Sequence, residues 1–293
     1  MKKQNPATKA LFKVLVYAAL IIMTISIIIP VAWVFMASFK RNAEFIGKGT
    51  NPWALPEQLQ WQNYVTAFVD AEMGKFFLNS VIITALSLVL LLVIALPAAY
   101  ALSRFDFKGK KFLNIAFMAG LFVNVNYIVV PIFLMLSGAN RMLGVEFFLD
   151  NRFILSLVYA SSSLSFSIYL LSGYFKTLPK GYEEAAYIDG CGYFKTMVKI
   201  MIPMAKPSII TVILFQFLSF WNEYIISMTL LSSANGPKTL PVGLMNLTQA
   251  QQSAAQYGQL YAGLVLVMLP TLILYMCVQK KLTQGMTVGG LKG

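Results

Sequence analysis

Six stretches of this chain stay apolar for close to the ~20 residues that a helix needs to cross the hydrocarbon core of a bilayer. They run approximately over Val14–Phe39, Phe77–Leu102, Phe112–Leu136, Phe153–Leu171, Ser208–Leu231 and Leu260–Val278. Runs of that length cannot be solvated on a soluble surface. They predict an all-α membrane protein, because in lipid the backbone must satisfy its own hydrogen bonds. Composition agrees: 58% of residues are hydrophobic and 12% charged, where a soluble domain carries roughly 25% charged. The first run follows Lys2, Lys3, Lys9 and Lys13 and ends at Lys40-Arg41. It is longer than the roughly 7–15 residues of a secretory signal core, so it reads as a retained span. Pro30, Pro97 and Pro131 fall inside spans and predict kinks that neighbouring helices tolerate.

An even number of spans places both termini on one side. Lys and Arg concentrate at the N-terminus, at Arg104–Lys111, at Lys176–Lys206 and in the tail with Lys280, Lys281 and Lys292. Cytoplasmic segments carry that excess, so both termini are expected in the cytoplasm of a bacterial-type inner membrane. The net charge of +12 is then accounted for by topology and by contact with membrane lipid, and no nucleic-acid partner is implied. The outer side carries two long loops, roughly 40–76 and 232–259, with turn signals at Asn51-Pro52-Trp53, Leu55-Pro56 and Asn235-Gly236-Pro237. There is no histidine, and Cys191 and Cys277 share no ligand spacing, which argues against a zinc site or a histidine-based triad.

The largest cytoplasmic loop reads GYEEAAYIDGCGYFKTMVKIMIPMAKP over 181–207. Pro179 and Gly181 break the preceding helix. Tyr182–Asp189 predicts a short helix with Glu183 and Glu184 in its first turn, at the positive end of the dipole. Ala185 and Ala186 leave a small surface beside them, and Gly190-Cys191-Gly192 ends the helix. A second helix is predicted over Tyr193–Ile202, stopped by Pro203 and Pro207. Two short helices joined at a glycine bend could lie on the membrane surface or serve as a docking knob.

This loop resembles the EAA motif of ABC-importer permeases: Glu-Ala-Ala, three residues, Gly, nine residues, Ile, any residue, an apolar residue and Pro. Here these are Glu184-Ala185-Ala186, Gly190, Ile200, Ile202 and Pro203, with the spacing complete. Phe220-Trp221-Asn222-Glu223-Tyr224, Asn79-Ser80, Thr239–Leu244 and the closing Gly285–Gly293 are similar to the maltose/oligosaccharide branch of the family. The resemblance covers essentially the whole chain, best from residue 77 onward.

It implies a type I ABC importer permease with six transmembrane helices and a coupling-helix elbow. In domain terms these are a first helix and outer loop at 1–76, a permease core at 77–279 containing the EAA loop 179–207, and a cytoplasmic tail at 280–293. Glu183, Glu184, Ala185, Ala186, Gly190, Ile200 and Pro203 would couple to an ATPase, and Gly290 and Lys292 of the tail would approach it. The implied partners are a homologous second permease, two ATPase subunits and an extracytoplasmic sugar-binding protein, into which the third outer loop, Ser232–Gln259, would reach. Cys191 is read as a packing residue.

The chain itself has no Gly-x4-Gly-Lys-[Ser/Thr] phosphate cradle, and Gly47-Lys48-Gly49-Thr50 lacks the spacing. It is expected to be non-catalytic, with no cofactor of its own and with ATP and Mg on the partner ATPase. Polar side chains within spans are costly and mark pathways. Asn124, Asn126, Tyr127, Gln216, Trp221, Asn222 and Glu223 are the candidates for a substrate path or gate. Gln216, Ser219 and Glu223 share one face because seven residues make nearly two turns. Ser161, Ser165 and Ser172 read rather as close-packing positions. One acid and no deep cation suit a neutral sugar. A glycerol-phosphate-like or uronate-bearing saccharide is the alternative cargo. A secondary transporter is the alternative class, disfavoured by the lack of internal repeats and of an acid cluster.

Overall fold

The computed structural model describes residues 6–46, 50–234, 236–254 and 256–290. Gly47, Lys48, Gly49, Asn235 and Lys292, all named above, lie outside them. No strand occurs among the described residues. We label the longer helices α1 (Pro6–Ala37), α2 (Met73–Arg104), α3 (Lys110–Gly120), α4 (Val129–Leu143), α5 (Arg152–Thr177), α6 (Gly181–Ile188), α7 (Tyr193–Met204), α8 (Lys206–Trp221), α9 (Ile225–Leu230), α10 (Leu240–Ala254) and α11 (Tyr257–Gly290).

Phe12–Ala37, Met73–Arg104, Arg152–Thr177 and Tyr257–Gln279 are each long and apolar enough to cross a membrane unaided. The other two expected spans are broken. The third becomes α3 and α4 around a 3-10 turn at Val125–Tyr127, where the Asn124 side chain accepts from the Asn126 amide at 3.0 Å. The fifth becomes α8 and α9 with Asn222–Tyr224 between them. Each break coincides with amide or carboxylate side chains that bond the local backbone and compete with the helix ladder.

The chain divides into two compact units. One comprises Met1–Met73 and Leu244–Met268. In it the outer loop is folded rather than extended. Lys40 is fully buried, its Nζ donating to the Pro52 carbonyl at 2.8 Å and the Asn51 carbonyl at 3.4 Å and lying 5.9 Å from the Phe45 ring centre. Asn63 Nδ2 donates to the carbonyls of Ser38 and Lys40, both at 2.9 Å. Trp33 packs edge-on against Tyr261 at 5.0 Å.

The other unit comprises Gly74–Gly243 and Leu269–Gly293. Its core gathers Leu91, Ala95 and Ala99 of α2, Leu155, Tyr159 and Leu171 of α5, Met201 of α7 and Val212 of α8. Small residues let these helices close up. A Cβ on Gly120 would meet Ser165 Oγ at 2.3 Å, and Ser172 Oγ donates to the Ala99 carbonyl at 3.3 Å, so two of the three serines sit at helix contacts. The second outer loop, read in sequence only as a long loop with a turn signal, contains α10. Its start is held by α2: Ser80 Oγ accepts from the Leu240 amide at 2.8 Å, and Asn79 Nδ2 donates to the Lys238 carbonyl at 3.0 Å. The sequence hides this helix because Pro241 and Gly243 lie in its first turn, although proline is well placed there.

Candidate functional site

The loop of residues 179–207 forms two short helices meeting at a glycine bend. α5 ends when Leu178 turns extended before Pro179. α6 then begins at Gly181, with the amides of Glu183 and Glu184 bonded to the Lys180 carbonyl at 2.9 and 3.1 Å. Gly190 adopts φ +76°, and its amide donates to the Tyr187 carbonyl at 3.0 Å while the Cys191 amide donates to that of Ala186 at 2.8 Å. This is the paired bonding of a Schellman cap, with glycine at its left-handed position. α7 runs as far as Met204, two residues beyond the expected end, and carries a π-helical turn over Met197–Met201 that includes Ile200. Pro203 follows that turn, and α7 meets α8 at 74°.

The adjacent acids face different ways. Glu183 is turned inward, accepting from Tyr100 Oη at 2.8 Å and lying 3.6 Å from Arg104 Nε. Glu184 is exposed, and so is Ala185, whereas Ala186 is buried. The outward surface of the bend is apolar: Tyr187, Ile188, Tyr193 and Phe194 are all exposed, Ile188 at 84% and Phe194 at 75%. An exposed apolar cluster of this kind marks an interaction surface, for a protein partner or for the membrane. In the preceding loop, the Lys110 hydrogen bond at 2.8 Å and its charge hold the exposed Asp106 carboxyl below its ordinary range.

A second feature is a cavity of about 390 Å³ between the 3-10 turn, α5, α8 and α9. That volume falls within the ~300–1,000 Å³ range of small-molecule sites. Asn126, Gln216 and Glu223 line it together with Tyr159, Ser162, Ser163 and Ser219, and Phe166, Phe215 and Phe220 supply aromatic wall. Glu223 sits in the α8–α9 break, where its carboxylate accepts from the amides of Ile226 at 2.7 Å and Ser227 at 2.9 Å and from Tyr159 Oη at 2.7 Å. The carboxylate therefore caps α9 and ties it to α5. Tyr159 also stacks on Phe220 with centroids 5.5 Å apart. Gln216 Nε2 donates to Ser167 Oγ at 3.3 Å.

The other expected path residues lie off this wall. Asn124 caps the 3-10 turn, and Tyr127 is exposed. Trp221 is buried against Phe217 and Phe77, and Asn222 bonds the Leu218 carbonyl at 2.8 Å. Sequence reasoning missed Tyr159, Ser162, Ser163 and Phe166. Their spacing of three, four and seven residues is a helical face, offset by one or two positions from the serine face singled out instead. Tyr100 and Arg104 were also missed as partners of Glu183. In the tail, Gly290 is the last residue of α11, and Lys292 lies outside the described residues. No cluster of three or more potential metal ligands occurs among the described residues.

Comparison with known proteins places these features in context. The family profile described as "Binding-protein-dependent transport system inner membrane component" matches residues 88–288. A diacetylchitobiose uptake system permease protein of Streptomyces coelicolor, NgcG, is 32% identical over 95% of this chain and 88% of its own length. A trehalose transport system permease protein of Mycobacterium tuberculosis, SugB, is 27% identical over 91% of this chain and 93% of its own. Among solved structures, a chain from a bacterial ABC transporter that imports the acidic polysaccharide alginate superposes with a TM-score of 0.76 at 24% identity. The match covers 95% of this chain and 99% of that one.

Proposed function

This chain belongs to the family of binding-protein-dependent transport system inner membrane components, and from that premise we propose that it is the permease subunit of an ATP-driven importer of oligosaccharides. The observation that carries this reading is the projecting bend at 181–204. It combines the complete Glu184–Pro203 spacing with an apolar surface, centred on Ile188 and Phe194, that its own chain leaves uncovered. Glu184, Ala185, Gly190, Ile200 and Pro203 form or shape the docking knob for a separate ATPase, which carries ATP and Mg. The partner set is a second permease, two ATPase subunits and an extracytoplasmic sugar-binding protein. Both termini lie in the cytoplasm, the end of α11 with Gly290 and Lys292 approaches the ATPases, and the segment 232–259 faces the binding protein.

ATP closes the ATPase pair, the knob moves with it, and the helices swing to open the outer mouth; hydrolysis resets them. The polar cavity serves as this chain's part of the path. Its wall offers amides, hydroxyls, aromatic rings and the Glu223 carboxylate with no Lys or Arg, which suits a neutral polyol and disfavours a phosphorylated one. The relatives named for diacetylchitobiose and trehalose support the same cargo class.

The test is affinity purification of the tagged chain from its native membrane in mild detergent, with mass spectrometry of what accompanies it. A second permease and an ATPase are expected, with the ATPase lost on Gly190→Pro. Proline fixes φ near −65° and removes the amide that closes the bend. A lone chain, or transport that persists without ATP, would overturn the reading in favour of a secondary transporter.

A further inference from the structure

The two neighbouring acids of the bend invite one role, and the structure gives them two. Arg104 ends α2 with its side chain 5% exposed. Its Nη2 donates to the Leu178 carbonyl at 2.7 Å, at the end of α5, while its Nε faces Glu183 at 3.6 Å. Glu183, with 22% of its side chain exposed, takes its hydrogen bond from Tyr100 Oη, one turn earlier on α2. Tyr100 in turn stands edge-on to Phe175 of α5 at 5.7 Å and to Phe105 at 5.4 Å, and Phe105 meets Tyr193 of α7 edge-on at 5.4 Å. Thus α2, α5, α6 and α7 converge on one arginine–carboxylate–tyrosine group.

Such a group is expensive to open. Removing one partner leaves a largely buried guanidinium uncompensated, and a buried charge without its partner is strongly destabilising. The planar guanidinium hydrogen-bonds the Leu178 carbonyl while its Nε, buried and making no hydrogen bond, stands in ion-pair range of Glu183. Glu184, one residue on, makes none of these contacts and points outward.

We infer that Arg104, Tyr100 and Glu183 form an internal clamp that makes the bend move as one body with α2 and α5, and that Glu184 alone of the two acids meets the partner. Glu183 is thus a positioning residue for force transmission. This rests on the importer reading and deepens it. The bend receives the motion of the ATPase through Glu184 and the apolar surface, and passes it to the membrane helices through Glu183. Without the clamp the only covalent routes are the Leu178-Pro179 joint and the 74° bend before α8.

The experiment uses the purified complex in nanodiscs, with one nitroxide on the native Cys191, a second on Leu157→Cys of α5, and Cys277→Ser. The label separation is read with and without ATP and Mg. With the clamp intact the separation stays constant, because bend and α5 travel together. In Glu183→Gln the ATPase still co-purifies, but ATP shifts the separation by ~2 Å or more, the scale of helix shifts in switching proteins. Glu184→Gln gives the opposite pattern: less ATPase recovered and no internal shift. Should Glu183→Gln fail to accumulate, Tyr100→Phe removes a single hydroxyl and is read the same way.

A separation that responds to ATP equally in the unmodified and clamp variants, or in neither, overturns the inference. So does loss of the ATPase from Glu183→Gln with retention in Glu184→Gln. Absence of an ATPase from the unmodified chain overturns the importer reading instead, so the two failures are distinguishable.

Discussion

Gly190 holds the bend in a conformation that L-residues with a Cβ adopt at a cost of roughly 1–2 kcal/mol. Nothing lies within 4 Å of where a Cβ would be, so the penalty of Gly190→Ala is conformational rather than steric. The expected result is a complex whose thermal midpoint falls slightly while ATPase recovery falls further, measured side by side on the same preparation. Glu223→Gln tests the cap of α9. The amide keeps the shape but has a single acceptor oxygen, so its NH2 must face donors, either the Ile226 amide or the Ser227 amide and Tyr159 Oη. A loss of about 1–3 kcal/mol is expected, read as a lowered midpoint of the detergent-solubilised chain. Asp106 supplies a pH marker. Its carboxyl is depressed by Lys110, so the small contribution of the pair is present above the ordinary carboxylate range and fades as pH falls through the lowered value. The Asp106 carboxyl signal in a labelled sample should titrate below the ordinary aspartate range and return to it in Lys110→Ala.

At the scale of elements, the long unbroken helices were legible because about twenty apolar residues admit few alternatives. The bend was legible because acids, small residues, glycine and proline each have positional meaning at helix ends. The breaks in the third and fifth spans were not. Hydropathy sums over a window, while the breaks come from single side chains that bond the backbone: Asn124 to the Asn126 amide, Glu223 to two amides of α9. The cavity was only half legible for a related reason. Gln216 and Glu223 stood out as polar residues in lipid, but choosing between serine faces of α5 needed the neighbouring helices. The cap of α10 by Ser80 was invisible, since its partner is 160 residues away. Ser80→Ala should cost about 1 kcal/mol, the usual worth of a cap, and should speed hydrogen exchange at the amides of Leu240 to Gly243 while leaving α5 unchanged. Gly243→Ala should do more, because its Cβ would lie 2.2 Å from Phe76 Cδ2; overpacking of that kind costs about 1–3 kcal/mol.

For the whole molecule, the proposed topology, argued from the basic excess at one set of loops, has Cys191 on the cytoplasmic face. A membrane-impermeant maleimide should label it in inverted vesicles and leave it unlabelled in right-side-out ones, with Cys277→Ser removing the other thiol. The reverse pattern would invert the topology and move the docking knob away from any cytoplasmic ATPase. Lys40 bears on how that topology is reached. It follows the first span and on the proposed topology lies on the outer side, where its charge has to be carried through the bilayer during synthesis, against the bias that retains basic residues inside. Once across, it cannot be hidden until Asn51 and Pro52 have also emerged to offer their carbonyls. Export of the loop tip is what sequesters the cation, and a chain stalled before residue 52 leaves a bare ammonium at the mouth of the insertion machinery.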